Sequence, residues 1–210
     1  MSFFCNFQSD KCPGKITGNP LNGLCEKTCL EVKKVFDACM QQSQLTGITL
    51  TVSDLTPDNP TYPLTFVSAK SVGSKGRICN LLIEPLAERP NSARVKADIT
   101  IPVTVAYTDA NGVEGVGFSE VTVTKDVILN VPNASIIPYS VESVVSLVST
   151  LGTYTGDNEF TIDACVSIIL KIVMEVELLV PSYGYAQIPP CQEYTQEVCA
   201  GFFELPMYPQ

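Results

Sequence analysis

Apolar and polar residues alternate along most of the chain from residue 46 to residue 180. Between residues 95 and 107 the odd positions read Val, Ala, Ile, Ile, Val, Val, Tyr, and the even ones read Lys, Asp, Thr, Pro, Thr, Ala. A period of two places successive side chains on opposite faces of a strand, one dry and one wet. The same signal predicts strands over 46–52, 62–69, 77–83, 113–129 and 139–151. From 166 to 180 every even position is apolar, while Ser167, Lys171, Glu175 and Glu177 fall on odd ones. Three charges in alternate register argue against a membrane helix, which needs about twenty nearly uncharged residues. Fifteen residues at roughly 3.3 Å each extend on the order of 50 Å. That is long for a strand, and it predicts an elongated sheet or one strand serving two sheets.

Turn residues punctuate this pattern. Pro57-Asp58-Asn59-Pro60 ends the first run, and Gly156-Asp157-Asn158 marks a late turn. Asp109-Ala110-Asn111-Gly112 is the strongest hairpin signal, because Asn-Gly accepts positive φ. Gly115 and Gly117 mark either a bulge or a close neighbour on the return strand. Pro102 cannot donate to a ladder, which predicts an edge or a bulge at that point. Residues 26–42 are less regular. Val32, Val35, Phe36, Cys39 and Met40 share one helical face, and Thr28 suits a cap, which predicts a short helix. The strand propensity of Val32, Val35 and Phe36 leaves a strand as the alternative. The fold expected is all-β: an antiparallel β-sandwich core over 25–180 with long strands and a short N-terminal helix. A turn-rich arm (1–24) and a Pro-rich strap (181–210) flank it.

Composition narrows the function. The chain has 210 residues, with 13 Lys and Arg against 22 Asp and Glu, a net charge of −9. So acidic a chain is a poor partner for nucleic acid or an anionic membrane surface. It has no His, which removes His-based triads, imidazole metal sites and the usual near-neutral proton shuttle. Residues 112–117 are Gly-rich but lack the Lys-Ser/Thr pair of a phosphate loop. Asp157, Glu159 and Asp163 lie close in sequence without the ligand spacing of a calcium loop. No catalytic residues and no cofactor are expected, and an enzyme is the weakest reading. Asn133-Ala134-Ser135 matches a glycosylation acceptor, discounted because the N-terminus reads as no secretory signal.

Nine cysteines remain, an odd number. An odd count favours an intermolecular bond or a free thiol. Cys5, Cys12, Cys25, Cys29, Cys39, Cys191 and Cys199 lie toward the two ends and are the candidates for intermolecular or arm disulfides. Cys79 and Cys165 lie in the apolar middle and are expected in the core. Cys25-x3-Cys29 falls within zinc-ligand spacing, but no second knuckle matches it, so no metal is expected. The strap carries Tyr183, Tyr185, Tyr194, Phe202, Phe203 and Tyr208 among its prolines. Aromatics on such a segment pack onto something, either their own domain or a neighbouring subunit.

Two stretches carry a family resemblance. Residues 31–40, Glu-Val-Lys-Lys-Val-Phe-Asp-Ala-Cys-Met, resemble an element of cysteine-rich spore-surface proteins of clostridia. The tail around Pro189-Pro190-Cys191-Gln192-Glu193-Tyr194 and Val198-Cys199-Ala200-Gly201-Phe202-Phe203 is similar to the C-terminal end of the same group. The resemblance implies a protein like the self-assembling basal-layer protein of the exosporium. It would be made in the mother-cell cytoplasm and oxidised after lysis into a two-dimensional lattice at the spore surface. On that implication Cys39, Cys191 and Cys199 belong to the shared elements, and the partners are further copies, in rings that tile, and other spore-surface proteins. The alternative is an adhesive or fibre-forming β-sandwich subunit of an appendage or phage-type structure.

Overall fold

The alternation of the central strands is what the computed structural model packs: the odd side chains of β5 (Ser92–Thr108) and β6 (Glu114–Asn130) turn inward and the even ones outward. The structure describes Ile16 and residues 18–186. Six further strands complete the described residues: β1 (Glu26–Thr51), β2 (Ser53–Thr56), β3 (Thr65–Ser71), β4 (Arg77–Pro85), β7 (Ser140–Gly156) and β8 (Glu159–Ser182). All eight belong to one antiparallel sheet in the order β1-β8-β7-β3-β5-β6-β2, with β4 also paired to β5. The all-β class is as the sequence predicts. The described strands are linked in one sheet rather than two.

The chain divides into two compact units. One comprises Glu31–Glu177, and the other comprises Met1–Leu30 with Leu178–Gln210. In the larger unit the strand order begins with β1 and ends with β2, yet only the buried Val52 separates these two strands in sequence. Consecutive Cα atoms are about 3.8 Å apart, so the two ends of the order must meet and the sheet must curl upon itself. β1 then faces β6 across a seam bridged by side chains. The Ser119 hydroxyl donates to the Thr51 carbonyl (2.8 Å), Lys125 Nζ to Gln41 Oε1 (2.9 Å), and the Asn130 N–H to Asp37 Oδ2 (2.7 Å).

The curl encloses one apolar core. Val95, Ile99, Ile101, Val103, Val105 and Tyr107 of β5 meet Phe160, Ile162, Val166, Ile168, Leu170 and Ile172 of β8, with Val145, Leu147 and Leu50 between them. Each such side chain contributes roughly 1.5–3 kcal/mol on leaving water. Phe160 anchors one end, its ring 5.7 Å from Phe66 and 5.4 Å from Tyr154.

Three expectations change. Residues 26–42 are strand, not helix. Val32 and Phe36 are half-buried in one phase of the strand, and Asp37, Cys39, Ser43 and Leu45 in the other. This shift of phase, where Asp37 Oδ1 accepts the Ala38 N–H, imitates helical spacing. Pro102 lies on a central strand, not at an edge. Its register with Glu120 is unbroken, and its carbonyl accepts Val72 N–H on the opposite side (2.9 Å). Here the neighbour changes from β3, paired from Val103 onward, to β4, paired up to Thr100, so the missing donor falls in a gap. Cys165 is exposed, not in the core, because the inward phase of β8 is even and residue 165 is odd. Cys79 is half-buried.

Gly115 and Gly117 are close-approach sites: the β5–β6 register runs unbroken from Ser92↔Asn130 to Thr108↔Glu114, while on the other side of β6 the register with β2 shifts between Ser53↔Phe118 and Thr56↔Val116, opposite Gly117. A Cβ on Gly115 would lie 2.5 Å from the Tyr107 ring, and one on Gly117 would lie 2.3 Å from Val52 Cγ1. Gly115→Ala is expected to cost about 1–3 kcal/mol through overpacking. Gly73→Ala, where a Cβ meets nothing within 4 Å, should stay within about 0.5 kcal/mol. Urea unfolding of the two variants tests this difference, and equal midpoints would contradict it.

The β5–β6 hairpin turns on Asp109. Its Oδ1 accepts the N–H groups of Val113 and Asn111 (both 2.8 Å), and its Oδ2 that of Thr61 (3.2 Å). Gly112 alone of the turn residues takes positive φ, at 80°. The Val113 N–H, with those of Thr61 and Asn111, holds this carboxyl below the usual carboxylate range. Arg94 does the same for Asp126, and Asn80 with Thr124 for Asp98. A depressed carboxyl contributes fully above its unfolded value, about 3.9, and loses that contribution as the pH falls through the lower folded value. Melting temperature should therefore fall on acidification below about pH 4. Asp109→Asn should melt lower at neutral pH and lose less on acidification. An unchanged acid limb in that variant would count against this role.

Candidate functional site

The residues proposed from sequence to join copies are distributed over both units. Cys5, Cys12, Cys191, Cys199, Tyr194, Phe202, Phe203 and Tyr208 lie outside the described residues. In the smaller unit the segment before β1 and the end of β8 lie side by side. Cys25 N–H donates to the Ser182 carbonyl (2.9 Å), and the Tyr183 hydroxyl donates to the Pro20 carbonyl. The Tyr183 ring covers Gly23 at 3.6 Å from where a Cβ would stand. Tyr183 is thus half-buried on its own chain, whereas Tyr185 is 91% exposed. Of the two strap aromatics described, one is engaged within the chain and one presents its ring to solvent.

Cys25 and Cys29 are both exposed on this unit. The Cys25 thiol donates to the Gly23 carbonyl at 3.4 Å. The two cysteines bracket the start of an extended strand, which puts their Cα atoms about 13 Å apart. A disulfide needs Cα atoms within about 7 Å, and zinc–sulfur bonds are about 2.3 Å long. The Cys-x3-Cys spacing therefore serves neither a mutual disulfide nor one zinc ion here. Among the described residues no group of three or more Cys, Asp or Glu could hold a metal.

In the larger unit Cys39 is half-buried and packs against the core beside the seam. Its neighbour Lys125 points inward, and burial pulls the Lys125 pKa below the ordinary lysine value. Sequence reasoning missed this lysine, although it shares the inward phase of Val121, Val123, Val127 and Leu129. Cys165 faces solvent on β8, opposite the exposed Val148 of β7. The carboxylates noted in sequence hold the fold: Asp163 Oδ1 accepts the Gly47 N–H (2.8 Å), and Glu159 Oε1 accepts the Thr51 hydroxyl (3.2 Å).

Two open grooves mark the outside of the larger unit. One, of about 550 Å³, lies between Thr51, Ser53 and Asp54 and the Phe118–Glu120 stretch, with Glu120 engaged by Arg77 Nη2 at 2.8 Å. The other, of about 490 Å³, is formed by Leu86, Val127 and Ile128 beside Arg94 and Asp126. Among the described residues no helix is long and apolar enough to cross a membrane.

No family model matches the chain, and no curated protein or solved structure shows significant similarity to it.

Thiol exposure gives an ordered expectation. In the reduced, folded protein, Cys25 and Cys165 should react with a maleimide before the half-buried Cys39 and Cys79. Timed quenching with peptide mass spectrometry reads the order. Labelling of Cys39 or Cys79 ahead of Cys165 would contradict the packing described.

Proposed function

We propose that this chain is a structural subunit that assembles with copies of itself, through disulfide bonds, into the outer layer of a bacterial spore. The observation that carries the reading is Cys165. It faces solvent as a free thiol in the larger unit. Cys39, in the same unit, packs toward the core instead. A thiol presented outward from a rigid strand is placed for a partner on another molecule. Cys25 adds a second exposed thiol on the other unit. The nine cysteines of the chain allow at least one bond to leave each copy.

Part of the surface suits this role. From Val144 to Gly156 β7 carries no charge, so its outward Val144, Ser146, Val148 and Thr150 leave no ion to strip of water when copies stack, whereas the outward phase of β8 is charged through Glu159, Asp163, Lys171, Glu175 and Glu177. The spore assignment rests on the resemblance of residues 31–40 and of the tail to clostridial spore-surface proteins. Partners in this reading are further copies and other proteins of the same layer.

Gel electrophoresis with and without reductant, followed by electron microscopy of the oxidised protein, tests the reading. A ladder of species that collapses on reduction, with flat lattices in the microscope, is expected. Fibres would favour the appendage alternative. Monomers in both lanes with every thiol alkylatable would overturn cross-linking.

A further inference from the structure

The loop joining β6 to β7, residues 131–139, reads Val-Pro-Asn-Ala-Ser-Ile-Ile-Pro-Tyr and carries no charge. Its tip is apolar and outward. Ile136 is fully exposed and Ile137 is 56% exposed. The Ser135 hydroxyl donates to the Ile137 carbonyl (2.6 Å), so the two isoleucines are displayed by a locally fixed turn. Full exposure of an isoleucine forgoes the free-energy gain of burying it.

The same unit also presents an apolar groove, that of Leu86, Val127 and Ile128, with Ile128 53% exposed. Its charged groups are already paired with one another. Arg94 holds Asp126 through Nε (2.8 Å) and Nη2 (2.5 Å) and lies 3.6 Å from Glu84. An uncharged segment entering the groove strands no unpaired ion. Ile136 does not fill its own groove, since it is fully exposed.

We propose that the Ile136–Ile137 tip of one copy docks into the Leu86–Ile128 groove of a second copy. This rests on the assembly reading and deepens it by naming a non-covalent contact between subunits. Two isoleucines bury far less than the roughly 1,000 Å² a stable interface needs on its own. The contact therefore works in copies already tethered by disulfides, where effective concentration is high. It would set the relative orientation of tethered subunits.

The test uses the full chain with Ile136→p-benzoylphenylalanine, mixed as isotopically heavy and light copies, oxidised, irradiated, then reduced and alkylated. Cross-linked peptides of mixed isotope joining position 136 to segment 86–94 or 126–128 are expected. Cross-links elsewhere, or only within one copy, would overturn the docking while leaving the disulfide assembly standing. Loss of all assembly in the unmodified chain would remove both. Ile128→Asp should lower the yield of that cross-link at least several-fold without changing the non-reducing ladder, and an unchanged yield would also overturn it.

Discussion

A single residue, Val52, joins the two ends of the strand order, and the rest of the larger unit follows from that link. β1 and β2 stand at opposite ends of the hydrogen-bonded sequence of strands. With one residue between them the sheet cannot lie open. It curls, its inward faces meet, and the alternating residues of β5, β7 and β8 become one core. Val52 is itself buried, and its methyl occupies the space that Gly117 leaves empty. The covalent constraint, the glycine and the core are thus parts of one packing solution.

The seam that results is held differently from the rest of the sheet. Elsewhere backbone ladders join the strands, but β1 and β6 meet through Asp37, Gln41, Thr51, Ser119, Lys125 and the Asn130 N–H. Side-chain bridges tolerate a mismatch in strand direction that a ladder would not. They also draw Lys125 into the core side, where its ammonium is met by the Gln41 carboxamide. A buried charge of this kind is tolerable only when it is hydrogen-bonded.

Much of the fold was legible because period two is a strong signal. The strands from residue 46 onward and the Asp109–Gly112 turn follow directly from it. Residues 26–42 misled because the phase shift near Asp37 spaces half-buried residues at 32, 36, 39 and 43, as a helix would. Pro102 misled because a gap between two successive neighbours satisfies proline as well as an edge does. Cys165 was legible in principle: it is odd on a strand whose apolar phase is even. Its apolar surroundings in sequence hid that. The Ile136–Ile137 tip gave no signal, since exposure in a loop has no periodicity to read.

The proposed assembly rests on where thiols point. Cys165 and Cys25 face outward on two separate units, and Tyr185 exposes its ring beside the latter. In the proposed assembly these two outward thiols give each unit its own point of attachment, while Cys39 and Cys79 are half-buried. The most direct measurement is a disulfide map of protein oxidised from an equal mixture of isotopically heavy and light copies. The account predicts bonded peptides of mixed isotope that contain Cys165 or Cys25. Peptides pairing only cysteines of a single copy would contradict it.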